Sequence, residues 1–281
     1  LVNQPLKLKM KVDILEIGTS DFGTLAGKAN GLFVEPVGEY FERLGDCLKE
    51  RVAISDREGE ISIYFIPSKE IERLGLPNWV RGCNSVNEPH KTIVANGWGS
   101  HIVSEVVRVI RVKTLLESHS IDDVEFLKID TEGHDCVILN DFLDTCNIKP
   151  RKIQFENNAL SPLEDRIRMK QRLTSLGYKI EARVQDMLCT LETRTAVCVL
   201  RNGGPLYTSD WVLRLRDSIK CNTPTSHRFV CLSDKDIPTV DTVKLNHLDL
   251  RRGWVGWWSK IELFRPELFT GPTVYFDLDT I

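Results

Sequence analysis

The sequence predicts an α/β fold: an open, mostly parallel sheet carrying helices over about residues 1–190, and a second, partial α/β module over 191–281. Three observations predict it. Ile14-Leu15-Glu16-Ile17 is a short apolar run that breaks at Gly18 and turns polar as far as Gly23, the pattern of a buried strand feeding a tight turn where bare backbone can approach a ligand. Gly31-Leu32-Phe33-Val34 is a second apolar run, closing on Glu35. After residue 190 a fresh apolar run, Thr195 to Leu200, restarts the same logic.

The elements follow in order. Glu39 to Leu48 places apolar residues at helical spacing, and Arg51 to Asp56 reads as a third strand, giving β-α-β-α-β. Arg57 to Glu60 is a turn, and Ile61 to Ile66 alternates like a half-buried strand. Residues 67–104 hold Pro67, Pro77, Pro89 and little periodicity, so they read as a long irregular insertion suited to a substrate lid. Val106 to Val112 is a strand, Thr114 to Ser118 a short helix, and Val124 to Ile129 a buried strand ending in Asp130, Glu132, His134 and Asp135. A helix follows to about Leu143, for which Asp135 has the residue type of an N-cap. Lys152 to Asn158 is the next strand, Leu163 to Leu176 a helix closed by Gly177, and Tyr178 to Arg183 a further strand.

With 281 residues, 42% of them hydrophobic, the chain can build one large domain or two ordinary ones. The formal charge is −3, from 37 basic and 40 acidic residues without long runs of either sign, which argues against a nucleic-acid or anionic-membrane surface. No stretch is long and apolar enough to span a bilayer, and Leu1 to Pro5 lacks the basic and apolar regions of a signal peptide, so a cytoplasmic setting is expected. The first residue is not Met, which leaves room for an upstream segment. The eight cysteines are scattered without a Cys-x-x-Cys pair and read as reduced, mostly buried thiols.

Glu35 lies about twenty residues after the glycine turn, the spacing at which an acid accepts hydrogen bonds from both ribose hydroxyls. A dinucleotide calls for Gly-x-Gly-x-x-Gly, which is missing here; a turn of small polar residues with Glu16 inside the strand suits a ligand with an amino-acid end. S-adenosyl-L-methionine meets both demands, its ribose on Glu35 and its methionine end on the Gly18 to Gly23 turn, with Glu16, Ser20 and Asp56 as further cofactor-binding candidates. In an open parallel sheet the ligand crevice lies off the carboxyl ends of the strands, so Asp130, Glu132 and His134 should face Gly18 and Glu35. Asp130, His134 and Glu156 are the candidates for removing a proton. A surface histidine without such a role is the plainer reading of His134, and Asp130 with Glu156 could instead hold a divalent ion through oxygen ligands.

Glu16-Ile17-Gly18, Glu35-Pro36, Ala53 to Asp56, Leu127-Lys128-Ile129-Asp130-Thr131-Glu132-Gly133 and Gln154-Phe155-Glu156 together resemble the FkbM family of S-adenosylmethionine-dependent methyltransferases, over about residues 10–190. The resemblance implies a seven-stranded Rossmann-like methyltransferase domain and transfer of a methyl group to a hydroxyl on a sugar, a glycan or a related small molecule. Where the family often carries an acid two places after its Glu-Gly, this chain has Asp135.

In the second module, Arg201 to Pro205 is a glycine turn, Trp211 to Ile219 a helix with Val212, Leu215 and Ile219 on one face, and His227 to Asp234 another strand. Thr273 to Phe276 leads into Asp277 and Asp279, two carboxylates able to hold Mg²⁺ or Mn²⁺ against a diphosphate. Lys260 offers a phosphate contact, and Trp257 and Trp258 offer ring faces or ordinary core. These stretches resemble the nucleotide-binding half of a GT-A-type glycosyltransferase, which implies a nucleotide-sugar donor near Leu200, Arg201 and Lys260 and a metal on Asp277 and Asp279. On that resemblance the second module is cut short and belongs to a longer bifunctional protein. Two other readings stay open: a nucleotide-binding scaffold without turnover, and an NAD-dependent sugar oxidoreductase or epimerase.

Overall fold

The structure is a computed structural model that describes residues 10–86, 88–192, 194–201, 206–223, 227–246, 256–265, 268–269 and 271–279, the side chains of 256–258 excepted. Leu1 to Pro5, most of the glycine turn after Arg201 and the side chains of Trp257 and Trp258 therefore lie outside the described residues. The chain divides into two compact units, Leu1–Leu191 and Glu192–Ile281.

The first unit begins with β1 (Met10–Ile17), β2 (Gly31–Val34), α1 (Gly38–Arg43), β3 (Lys49–Glu50), β4 (Ala53–Ile54) and β5 (Gly59–Phe65). Next come α2 (Ser68–Leu74), a 3₁₀ turn at Asn78–Gly82, β6 (Ser85–Val86), α3 (Lys91–Ala95), a second 3₁₀ turn at Gly99–His101, β7 (Val103–Ile110) and α4 (Val112–Ser118). It closes with β8 (Ile121–Ile129), α5 (Asp135–Thr145), β9 (Lys152–Glu156), α6 (Leu163–Ser175), β10 (Tyr178–Ala182) and β11 (Asp186–Leu191). Seven of these strands form one sheet in the order β10-β11-β9-β8-β1-β2-β3, parallel except for β11, which runs antiparallel to both β9 and β10. Side-chain alternation assigns its two faces. Leu15, Ile17, Leu32, Val34, Leu127 and Ile129 pack with helical residues such as Leu139, Phe142 and Leu173, while Ile14, Phe33 and Phe126 join Leu44 in a separate cluster.

The structure corrects the sequence reading in three places. The strand expected over 51–56 shrinks to Ala53–Ile54 and belongs to a second, four-stranded sheet, β4-β7-β5-β6; the third place in the large sheet goes to Lys49–Glu50. The stretch 67–104 is built rather than irregular: Ile66, Ile71, Val80, Cys83 and Ile93 are buried together as its own small core. Strand β11 was not anticipated.

The second unit holds β12 (Arg194–Leu200), α7 (Ser209–Asn222), β13 (His227–Ser233), β14 (Asp241–Lys244), a 3₁₀ stretch at Gly256–Phe264 and β15 (Thr273–Tyr275). Its sheet is all parallel, in the order β14-β13-β12-β15, and α7 buries Val212, Leu215 and Ile219 against Ala196, Cys198 and Leu200. All eight cysteines are unpaired thiols. Among the described residues, no helix is long and apolar enough to cross a membrane.

One glycine sets how closely β1 and β8 approach at their carboxyl ends. Gly18 has φ +81°, and a Cβ on it would lie 1.9 Å from the carbonyl oxygen of Asp130. Gly18→Ala therefore combines a left-handed backbone penalty with overlap against main chain, together about 2–5 kcal/mol. Chemical denaturation of the purified variant should show a loss of that size; a loss below about 1 kcal/mol would mean that the strand ends give way freely.

Candidate functional site

Counting only the strands of the large sheet, the order is third, second, first, fourth, fifth, seventh, sixth, so the chain's direction of winding reverses between β1 and β8. At such a reversal the connections leave to opposite sides, and a crevice opens off the carboxyl ends of the strands. Gly18, Ser20, Glu35, Asp130 and His134 line one cleft there, with Val52, Ala53, Ile54 and Ile63 supplying an apolar side. Gly82, Asn84 and Val86 close it from the 67–104 stretch. That stretch is tied to the β1 turn: the Ser20 hydroxyl donates to the Arg81 carbonyl at 2.7 Å, and Arg81 Nη1 donates to Asp21 at 2.8 Å.

Glu35 is 1% exposed, and its carboxylate accepts the backbone N–H of Ser20 at 2.6 Å and of Val37 at 2.8 Å, one on each oxygen. Burial raises its pKa to about 7 against the pull of those two donors, with Asp21 adding a further push. A carboxylate offers about four acceptor positions, so two remain for other donors.

Ionisable groups gather at the end of β8. Lys128 is nearly buried and donates to Glu16 at 2.7 Å, with Asp130 3.7 Å away; burial alone would lower its pKa, but Glu16 and Asp130 outweigh it and hold the ammonium above its ordinary value. Asp130 is raised to about 7 by loss of water and by Asp135 and Glu132, with Lys128 pulling the other way. Asp135 is fully buried; it is the first residue inside α5, not its cap, and its carboxylate accepts the N–H of Thr131 at 2.8 Å and of Glu156 at 2.8 Å. It thus fastens the end of β8 to the end of β9. Burial holds the His134 imidazole below its ordinary value despite Asp56 and Asp135, and its Nε2 pairs with the Ser55 hydroxyl at 2.9 Å.

A second cavity adjoins the first, sharing Val86 and His134 with it, and is lined by Ser85, His90, Lys91 and Glu132. Glu132 sits in the left-handed region at φ +52°, a conformation that costs a non-glycine residue about 1–3 kcal/mol and so needs outside support. His90 supplies it: His90 Nδ1 accepts the Thr92 N–H at 3.2 Å, which leaves Nε2–H to donate to Glu132 at 2.8 Å. Neither Cys83 nor His90 was singled out from the sequence. His90 lies 42 positions before Glu132 in a stretch without periodicity, so nothing local announces the pairing.

Four candidates stand elsewhere. Glu16 is fully buried and lines neither cavity; its carboxylate is occupied by Lys128, the Thr24 hydroxyl and the Leu25 N–H, which makes it an internal tie of the 18–25 turn. Gly23 faces open space and Asp56 is exposed, neither on the cleft. Glu156 is buried and lines neither cavity: its Oε1 accepts from Asn158 at 2.6 Å, its Oε2 is buried without a partner, and burial with Glu132, Asp135 and Asp130 pushes its pKa to about 10. Among the described residues, two clusters have metal-ligating spacing, Cys83/His90/Glu132 and Asp130/Glu132/Glu156, each with its ligand atoms within 4.8 Å of one another.

In the second unit Leu200 is buried and Arg201 half-buried at the end of β12. Lys260 is bound to Asp277 at 2.5 Å, Tyr275 also donates to Asp277, and Tyr207 donates to Asp279 at 3.2 Å. The two acids of the Asp-x-Asp therefore have different partners, and no third ligating side chain joins them among the described residues.

Glu35 gives a pH test. The native state keeps its proton up to about pH 7, whereas the unfolded chain releases it near 4.5, so this contribution to stability is full below pH 4.5 and is lost as the pH rises to 7. The loss approaches about 3 kcal/mol. The unfolding free energy of the wild type minus that of Glu35→Gln should fall across this window; a flat difference would mean that Glu35 is ionised throughout.

The family model for the FkbM methyltransferase domain matches residues 19–180, which takes in Ser20, Glu35, Asp130, His134, the whole second cavity and all of the first except Ile17 and Gly18. Neither the curated proteins nor the solved structures compared with the chain give a match. With more than half of its length covered by that match, the chain belongs to the FkbM methyltransferase family.

Proposed function

We propose that the first unit transfers a methyl group from S-adenosylmethionine to a hydroxyl of a sugar, a glycan or a similarly hydroxylated small molecule. The observation that carries this reading is the meeting of Gly18, Ser20, Glu35, Asp130 and His134 at the sheet's reversal point, all but Gly18 within the matched family domain and Gly18 immediately before it. The residues fit the cofactor. Glu35 has acceptor capacity left for ribose hydroxyls, the bare backbone at Gly18 admits a close approach, and the apolar side from Val52 to Ile63 suits a purine ring.

S-adenosylmethionine supplies an electrophilic methyl group on a sulfonium. With that group bound, the chain's own residues would have to hold the acceptor hydroxyl in line with the methyl group and take up its proton. We assign that proton to His134 or Asp130; in support, both line the cleft and His134 also lines the second cavity. Ser85, His90, Lys91 and Glu132 make that cavity polar, which favours a hydroxylated acceptor over an apolar one. Alignment of the two reactants accounts for much of the rate, up to about 7–11 kcal/mol in well-oriented systems. The cleft now offers about 40 Å³, room for a few waters and not for a nucleoside, so the segment from Gly82 to Val86 must move outward to admit the cofactor.

Calorimetry with S-adenosylhomocysteine should give one site per chain, and Glu35→Ala should weaken it at least about tenfold, 1.4 kcal/mol. Unchanged affinity would remove Glu35 from the ribose. With a broad panel of sugars, S-adenosylhomocysteine release should fall about 10²–10⁴-fold in His134→Gln or Asp130→Asn while affinity for it persists. Binding without turnover on any acceptor would favour a scaffold, and tighter binding of NAD an oxidoreductase or epimerase.

For the second unit we infer a nucleotide-sugar site of the GT-A type. The supporting observation is a second reversal of strand order, between β12 and β15, with Arg201 and Asp277 just beyond the strand ends. Mg²⁺ or Mn²⁺ bound there would have to draw Asp277 away from Lys260, freeing that ammonium for a diphosphate. Uridine diphosphate should bind in the presence of Mn²⁺ and lose at least about tenfold in Asp277→Asn; no binding of any nucleoside diphosphate would end this reading.

A further inference from the structure

We propose that Asp130, Glu132 and Glu156 form a site for one divalent cation of the Mg²⁺ or Mn²⁺ type, at the wall between the two cavities, where it would hold hydroxyl oxygens of the methyl acceptor. The purpose assigned to the cation rests on the methyltransferase reading; the site itself rests on the following geometry.

One oxygen from each of the three carboxylates lies within 4.8 Å of the other two. Acidic residues gather on many surfaces without binding anything, but this group is different in one respect. Glu156 is only 7% exposed, and its Oε2 is buried with no hydrogen-bond partner. A buried carboxylate oxygen left without a partner costs the molecule its full desolvation, and like charges placed beside it raise that cost. A cation on the three carboxylates satisfies the orphaned oxygen and offsets their repulsion at once.

The donor set selects the ion. Three carboxylates offer oxygen only, which suits Mg²⁺ or Mn²⁺, ions that keep further positions for water or for oxygens of a substrate. The overlapping cluster of Cys83, His90 and Glu132 is the softer alternative, but His90 is already spent: Nδ1 takes the Thr92 N–H and Nε2 donates to Glu132. His90 therefore acts as a positioning residue that orients a ligating carboxylate from behind. Cys83 directs its thiol to the Trp79 carbonyl.

Placement gives the cation a task. Asp130 lines the cleft of Gly18 and Glu35, and Glu132 lines the polar cavity beside it. An ion touching both stands where the acceptor oxygen must meet the methyl group, and it would make a bound hydroxyl more acidic and fix its direction. A pair of neighbouring oxygens, as on adjacent carbons of a sugar, would bind it better than a lone alcohol.

The test uses the full chain, stripped of metal, in an Asp277→Asn/Asp279→Asn background that removes the other pair of acids. Titration with MnCl₂ should give one site per chain and raise the melting temperature. Glu132→Gln and Glu156→Gln should each weaken Mn²⁺ at least about tenfold, and His90→Ala about 10–100-fold, as expected for a supporting partner. Without metal, Glu132→Gln should melt at or above its parent because one of three crowded acidic groups is gone, which separates loss of a ligand from loss of fold. No Mn²⁺ binding overturns the site, as does equal Mn²⁺ binding by both Gln variants, or loss through Cys83→Ser with Glu156→Gln unaffected. S-adenosylhomocysteine calorimetry on the same metal-free samples keeps the two claims apart. Nucleoside binding without Mn²⁺ binding ends the cation site alone; Mn²⁺ binding without nucleoside binding ends the methyltransferase reading alone.

Discussion

Everything at the candidate site depends on how closely β1 and β8 approach where the sheet reverses. The backbone of Gly18 donates to the Val34 carbonyl at 3.0 Å, while the space a side chain would need there is filled by the carbonyl of Asp130. Asp130 in turn donates its N–H to the Ile17 carbonyl at 3.0 Å. Three strand ends are thereby joined through main chain alone, and Glu35, Asp130 and the β1 turn come to one crevice because of it. A residue with a Cβ at position 18 would separate them.

Charge is the second constraint. Four carboxylates, Asp130, Glu132, Asp135 and Glu156, collect at the ends of β8 and β9, and the protein manages them by different means. Asp135 is given two backbone N–H donors and becomes a structural fastening. Glu132 is held in a left-handed backbone conformation by a histidine from another part of the chain. Asp130 has Lys128 within 3.7 Å, and that lysine is itself bound to Glu16. Glu156 has Asn158 on one oxygen, while the other is buried without a partner. Burial and the neighbouring acids raise Asp130 and Glu156, and buried, raised carboxylates of this kind beside a cleft are costly to stability and are characteristic of sites that do chemistry.

Much of this was legible in the sequence, for a physical reason. Buried parallel strands are continuous apolar runs that end abruptly, so Ile17-Gly18, Val34-Glu35 and Ile129-Asp130 mark both the strand and the place where a ligand can reach it. What the sequence concealed depends on partners far away in the chain. Glu16 reads as a cofactor contact until Lys128, 112 positions later, is seen to bind it. His90 and Cys83 gain meaning only beside Glu132. The two-residue strand Ala53–Ile54 has no pattern that could say which sheet it joins. Strand β11, Asp186–Leu191, alternates too weakly to stand out beside the strand it pairs with. The helices of the 67–104 stretch have seven residues or fewer, too short for periodicity to register.

The most direct measurement of the central claim is amide hydrogen exchange on the full chain with and without S-adenosylhomocysteine. A single cleft at the sheet's reversal predicts added protection at 17–20, 34–37 and 130–134 together, with altered exchange at 78–86 where the cleft must open. Protection confined to one of these segments, or appearing only in the second unit, would contradict it.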